Sequence, residues 1–149
     1  MATLFLGDMG AEVVKIEPPT GDGMQHLGPT DDEGRPIFYR ALNAGKTVQK
    51  LNLKEEAGRA AFLRLVEEAD IVVEGFRPGV LERLGVDYPV LSKVNPSIIL
   101  CSLSGYGIGT IRSAVAGHDA NYLALSGVLH RNGGSDPMFF DPPVSDFSG

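Results

Sequence analysis

One cysteine, Cys101, is all this chain has, and a single thiol excludes an internal disulfide. It falls mid-strand among aliphatic residues, so it is expected to be a small core side chain rather than a nucleophile. Histidine is almost as scarce, and residues 26, 118 and 130 with that one cysteine make no metal-ligand spacing. No metal site is therefore expected from these residues. Positive charge is short too. Thirteen Lys and Arg stand against nineteen Asp and Glu, a net charge of -6 with a pI near 5.0. That balance excludes a broad nucleic-acid or membrane-surface face, because both need cations to meet phosphate. Any anionic ligand must be met by a few local cations. Apolar runs such as Ile98 to Leu100 fall far short of the roughly 20 residues of a membrane span. Met1 to Gly10 is too short and lacks the basic residues of a signal peptide, so the expected location is cytoplasmic. No repeat or low-complexity tract is present.

What is there suits one ordinary domain, since 43% of 149 residues are hydrophobic. Met1 to Met9 reads as the tail of a helix closed by Gly10. Ala11 to Glu17 reads as a strand carrying Val13, Val14 and Ile16, ended by Pro18-Pro19. From there to Lys46 there is little periodicity, and Asp31 to Gly34 is expected to be a solvated turn. Thr47 to Leu53 alternates like a strand. The spacing of Ala61, Phe62, Leu65, Val66 and Ala69 predicts a helix over 55–69 with that face in the core. Asp70 to Glu74 is a short strand, Val80 to Leu84 and Asp87 to Val94 are helical, and Ser97 to Ser104 is a strand. Strands alternating with helices argue for an α/β fold, a parallel sheet covered on both faces with ligands at the carboxyl ends of its strands.

Two strand exits carry glycine. Gly75-Phe76-Arg77-Pro78-Gly79 offers close approach, a following helix N-terminus and a fixed cation, which suit a phosphate or diphosphate; a plain turn would also need its glycine and proline. Gly105 to Gly109 has neither the G-x-G-x-x-G spacing nor a Walker lysine. The ionisable pair His118-Asp119 opens a segment, Ala120 to Leu129, whose Leu125, Val128 and Leu129 make one helical stripe. Asp119 is expected at the N-cap, where a carboxylate accepts first-turn N–H bonds. The pair reads either as a base at a helix mouth or as a cap beside a turn histidine.

Six ordered blocks resemble family III CoA-transferases, the CaiB/BaiF type. They are residues 6–17, Asn43-Ala-Gly-Lys46, Leu51-Asn-Leu-Lys54, Glu74-Gly-Phe-Arg-Pro-Gly79, Leu103-Ser-Gly-Tyr-Gly107 and residues 116–127. The resemblance implies a Rossmann-like parallel sheet with helices on both faces, and a coenzyme A site at Lys54, Gly75, Phe76 and Arg77, helped by Lys46. It implies further that residues 1–149 are a partial CoA-binding large domain, truncated at both ends, with the smaller domain and return segment absent. Family members are intertwined homodimers, which makes a second copy the implied partner.

Gly117-His118-Asp119, followed by Pro142-Pro-Val-Ser-Asp146-Phe147, is most similar to the alpha-methylacyl-CoA racemase branch. There the resemblance implies that His118 and Asp146 are two bases flanking the α-carbon of an acyl-CoA substrate, with Asp119 orienting the imidazole, helix N-terminal amides holding the enolate and no metal or redox cofactor needed. A transferase alternative uses Asp146 as a nucleophile through an aspartyl intermediate and leaves His118 structural. An inactive CoA-binding fragment is the third reading. Thr47 stands where an arginine is usual in the family, and Asn52 where an aspartate is usual.

Overall fold

A computed structural model describes residues 1–132, 136–140 and 143–148. Pro142 of the racemase-like motif lies outside the described residues. In chain order the elements are α1 (Ala2–Asp8), β1 (Val14–Glu17), a 3-10 turn (Gly23–His26), α2 (Ile37–Leu42), β2 (Thr47–Lys50), α3 (Glu56–Glu68), β3 (Ile71–Glu74), α4 (Val80–Leu84), α5 (Tyr88–Val94), β4 (Ile99–Ser102), α6 (Asp119–Leu125), α7 (Val128–Arg131) and α8 (Val144–Ser148). The α/β alternation expected from the sequence is present. β1 pairs with β2 in parallel, Val14 against Thr47 through Glu17 against Lys50. β3 pairs with β4. In that pair the Ile99 amide donates to the Asp70 carbonyl and the Leu103 amide to that of Glu74, so both strands advance in the same direction. Among the described residues no helix is long and apolar enough to cross a membrane.

Two compact units divide the chain, residues 1–72 with 81–100, and residues 73–80 with 101–149. The core of the first is Val66, Val86, Leu91 and Ile98, with Phe62, Leu63, Ala69, Val72, Leu81, Leu84, Val94 and Leu100 packed around it. Leu91, at 0% exposure, gains about 1.5–3 kcal/mol from leaving water. Asn95 ties α5 to α3, because its side-chain amide donates to the carbonyls of Val66 at 3.1 Å and Ala69 at 2.8 Å. Both carbonyls lie at the C-terminal end of α3, where i+4 amides run out, and that of Val66 also accepts from the Ala69 amide at 3.3 Å. The expected face of α3 is rotated slightly, with Leu63 rather than Leu65 against the cluster.

Several readings change. The stretch without periodicity holds the 3-10 turn and α2, elements of four and six residues that are too short to show a period. Asp31 is more than a solvated acid: it pairs with Arg35 and Arg40, each at 2.8 Å, and accepts two amides of its own turn. Cys101 is exposed, because β4 alternates and the cysteine falls on the same side as exposed Ile99. The single helix expected after Ala120 is two. Gly127, with φ 76°, takes the left-handed conformation that ends α6, so Leu125 and Val128 are exposed and Leu123 supplies the buried contact.

In the first unit the sequence rule that apolar faces go inside is reversed at β1. Glu17 is 1% exposed at the strand's carboxyl end. Its Oε1 accepts from the Tyr39 hydroxyl at 2.7 Å and pairs with Lys15 Nζ at 2.9 Å, while Gln25 Nε2 donates to Oε2 at 3.3 Å. Lys15 also bonds Asp22 and lies 4.8 Å from the centre of the Tyr39 ring. Asp22 in turn caps the 3-10 turn by accepting from the Met24 amide. The network thus joins β1, the turn and α2 through charge rather than apolar packing. Burial alone would push Glu17 up, but the Tyr39 hydroxyl and the Lys15 ammonium outweigh it and hold the carboxyl below its usual range.

Candidate active site

Every proposed acid or base lies in the second unit. His118, not Asp119, is the N-cap of α6, and Asp119 is the first helical residue. The Asn121 side-chain oxygen accepts from the His118 amide at 3.0 Å, half of a capping box. The imidazole side of the motif is exposed, whereas Asp119 is buried at 8% exposure.

The Asp119 carboxylate turns to α8. Its Oδ1 accepts from the Ser145 amide at 2.6 Å, the Ser145 hydroxyl at 2.5 Å and, more weakly, the Asp146 amide at 3.4 Å. Those bonds, the hydroxyl first, outweigh burial and hold Asp119 below the ordinary carboxylate range. Among the described residues the Asp119 carboxylate accepts its hydrogen bonds from α8 rather than from the imidazole expected to be its partner. Of the helix N-terminal amides expected to hold an enolate, those of Ser145 and Asp146 in α8 face the Asp119 carboxylate, and that of Asn121 in α6 donates to the His118 carbonyl at 2.8 Å.

Asp146 is exposed in the first turn of α8, which packs against α6. It lies near enough to Tyr122 to help raise the phenol, after burial and Tyr106. Tyr122 stacks edge-on to Tyr106 with ring centres 5.2 Å apart, and its hydroxyl donates to the Gly117 carbonyl at 2.8 Å. A side chain at Gly117 would sit 2.6 Å from the Tyr106 oxygen. The glycine before His118 thus leaves room for the tyrosine pair, whose rings would have to shift to admit a side chain there. The structure thus joins His118, Asp119 and Asp146 on one pair of helices, through Ser145, a residue that sequence reasoning passed over. A hydroxyl beside a catalytic candidate carries no signal of its own.

The coenzyme A candidates divide between the units. In the second, Gly75, Phe76 and Arg77 are all exposed after β3. A side chain at Gly75 would meet nothing nearer than the Leu103 carbonyl at 3.9 Å, so the protein's own packing does not require glycine there. The Phe76 amide is taken by the Glu74 carboxylate at 2.7 Å, and α4 is only five residues long. The Val80 amide that opens α4 donates to the Arg77 carbonyl at 3.1 Å, and the strand exit presents the Arg77 side chain and the Phe76 ring, 47% exposed.

In the first unit Lys54 is exposed on a turn fixed by Asn52, whose side-chain oxygen accepts from the Lys54 amide at 3.2 Å and whose amide donates to Glu55 at 2.6 Å. That second bond needs the donor an aspartate lacks. Lys46 is half-buried and donates to the Thr3 hydroxyl at 2.9 Å; burial, then nearby Lys15, lowers its pKa. Among the described residues no cluster of three or more His, Cys, Asp or Glu could hold a metal.

Residues 1–149 match the sequence pattern of CoA-transferase family III throughout. The chain belongs to this family. Among similar proteins, acetyl-CoA:oxalate CoA-transferase of Acetobacter aceti is 40% identical over 135 residues, covering 90% of this chain and 34% of the relative. Human alpha-methylacyl-CoA racemase is 37% identical over 148 residues, 98% of this chain and 35% of the relative. The crystal structure of a CaiB/BaiF family protein from Brucella suis superposes with a TM-score of 0.88 at 35% identity, over 95% of this chain and 39% of that one. The family III chain thus spans roughly a third of the length of these curated relatives. Both transferases and racemases are among them.

Proposed function

We propose that this chain carries the acid-base centre of an alpha-methylacyl-CoA racemase-like enzyme, as a partial large domain that works as an intertwined homodimer. The supporting observation is that an exposed histidine and an exposed aspartate, His118 and Asp146, open two helices that pack on each other. Racemising a 2-methylacyl thioester removes the α-proton from one face and returns a proton to the other, so two bases must flank the carbon. His118 serves one enantiomer and Asp146 the other; Asp119, held by Ser145, supports the Asp146 side rather than the imidazole. Incubating the parent enzyme with a 2-methylacyl-CoA in heavy water should place deuterium at the α-carbon. A second reading is favoured by the 40% identity to an acetyl-CoA:oxalate CoA-transferase. There Asp146 attacks the thioester carbonyl and expels CoA thiolate, and the α-proton stays. Absence of α-deuterium together with conversion of Asp146 to its hydroxamate when hydroxylamine attacks the activated aspartyl carbonyl and expels the bound CoA or carboxylate would select that reading.

Coenzyme A binding is proposed at Gly75, Phe76 and Arg77, with Lys54 and Lys46 as further candidates. Arg77→Ala is expected to weaken CoA thioester binding about tenfold, the order of one lost charge-assisted contact, and wild-type affinity should fall with added salt. Calorimetry giving an unchanged affinity in that variant removes Arg77 from the phosphate role.

A further inference from the structure

Ser145 places its amide and its hydroxyl on one oxygen of Asp119, at 2.6 and 2.5 Å, across 26 residues of chain. The hydroxyl also lies 3.3 Å from the Asp119 carbonyl oxygen. Without the hydroxyl, the carboxylate would keep one good bond from α8, because the Asp146 amide at 3.4 Å lies beyond the usual range. We propose that Ser145 is a positioning residue, a latch that clamps the first turn of α8 to α6 and so fixes where Asp146 is presented to the acyl-CoA.

The proposal rests on the acid-base reading of Asp146. The geometry gives the latch its leverage: Asp146 leaves the backbone one residue after the clamp, and a misplacement of about 1 Å at a reacting group can cost on the order of 10²-fold. Ser145 is not itself a nucleophile. Its one proton goes to a carboxylate that these same bonds make a weaker base, so nothing near it draws the proton away. The other titratable groups nearby are His118, the residue before Asp119 in the chain, Asp146 and the Tyr122 phenol, with Tyr106 beyond it.

The test uses the full-length enzyme. Ser145→Ala should lower kcat for α-deuterium exchange, or for acyl transfer if that is the reaction performed, about tenfold while KM for the acyl-CoA stays within about twofold, one lost bond to a charged group in the presenting helix. Ser145→Thr, which keeps the hydroxyl, should restore most of it. A second readout needs no turnover: with carbon-13 in the aspartate carboxyls and the Asp119 signal assigned by Asp119→Asn, Asp119 should titrate at higher pH in Ser145→Ala and return in Ser145→Thr. An Asp119 titration unmoved by Ser145→Ala overturns the latch whatever the kinetics. A moved titration with unchanged kcat overturns the positioning of Asp146. An enzyme that shows neither reaction sinks the proposed function, and the carboxylate titration alone then decides the latch.

Discussion

His118→Ala is expected to cut α-deuterium incorporation, for the enantiomer whose proton it takes, by on the order of 10²- to 10⁴-fold, the usual worth of a positioned general base. Asp146→Asn should do the same for the opposite enantiomer. The physical ground is that each base faces one side of the α-carbon, so loss of one leaves the other able to exchange from its own face. The pair of variants should therefore show complementary defects rather than equal ones. Chiral analysis of the exchanged thioester in heavy water reads this directly. Equal loss from both faces in His118→Ala would mean the histidine holds the site together instead of moving a proton. No α-deuterium in any form of the enzyme, with acyl transfer retained in His118→Ala and lost in Asp146→Asn, would be the signature of the aspartyl transferase.

The second large effect lies in the first unit and concerns folding. Lys15→Met should destabilise the protein by about 3–5 kcal/mol, the cost of leaving a buried carboxylate without its ion-pair partner. Glu17 is that carboxylate, and Tyr39 and Gln25 cannot replace the cation. The sign with pH follows from the two shifts. Glu17 is lowered, so its contribution is present above the ordinary carboxylate range and is lost as pH falls through its folded value. Hydrogen bonds and ion pairing to Asp22 and Glu17 raise Lys15 against the opposing effect of burial, so its contribution holds below the ordinary lysine value and is lost as pH rises through the folded one. The wild type should thus lose this increment in acid. The Lys15→Met deficit should be largest at neutral pH and narrow as Glu17 takes up a proton. Denaturant midpoints measured across pH give the result, and a deficit independent of pH would show that Lys15 acts only by packing its stem.

Local spacing was enough to read α3, α4, α5 and the places of the four strands along the chain, because each carries its own apolar period or turn residues. The narrower resemblance at 117–119 and 142–147 was enough to mark His118, Asp119 and Asp146 as candidates, and the structure brings Asp119 and Asp146 together across α6 and α8. Spacing failed where the decisive partner is distant in sequence. Lys-Ile-Glu at 15–17 reads as a strand with its apolar side inward, yet the charged side is buried, since Tyr39 and Gln25 arrive from elements too short to announce themselves. Leu125 looked like core until Gly127 took a left-handed turn, a conformation that glycine permits but does not signal.

By itself, the amino-acid sequence determined the α/β order, the lack of a disulfide or a broad basic face, and which acids and bases were candidates, because composition and period are properties of the chain alone. Only the tertiary structure decided that His118 rather than Asp119 caps α6, and that Asp119 spends its carboxylate on Ser145. It also decided that Glu74 takes the Phe76 amide. In each case several residues could claim one donor or acceptor, and only packing in three dimensions selects which one is within hydrogen-bonding reach.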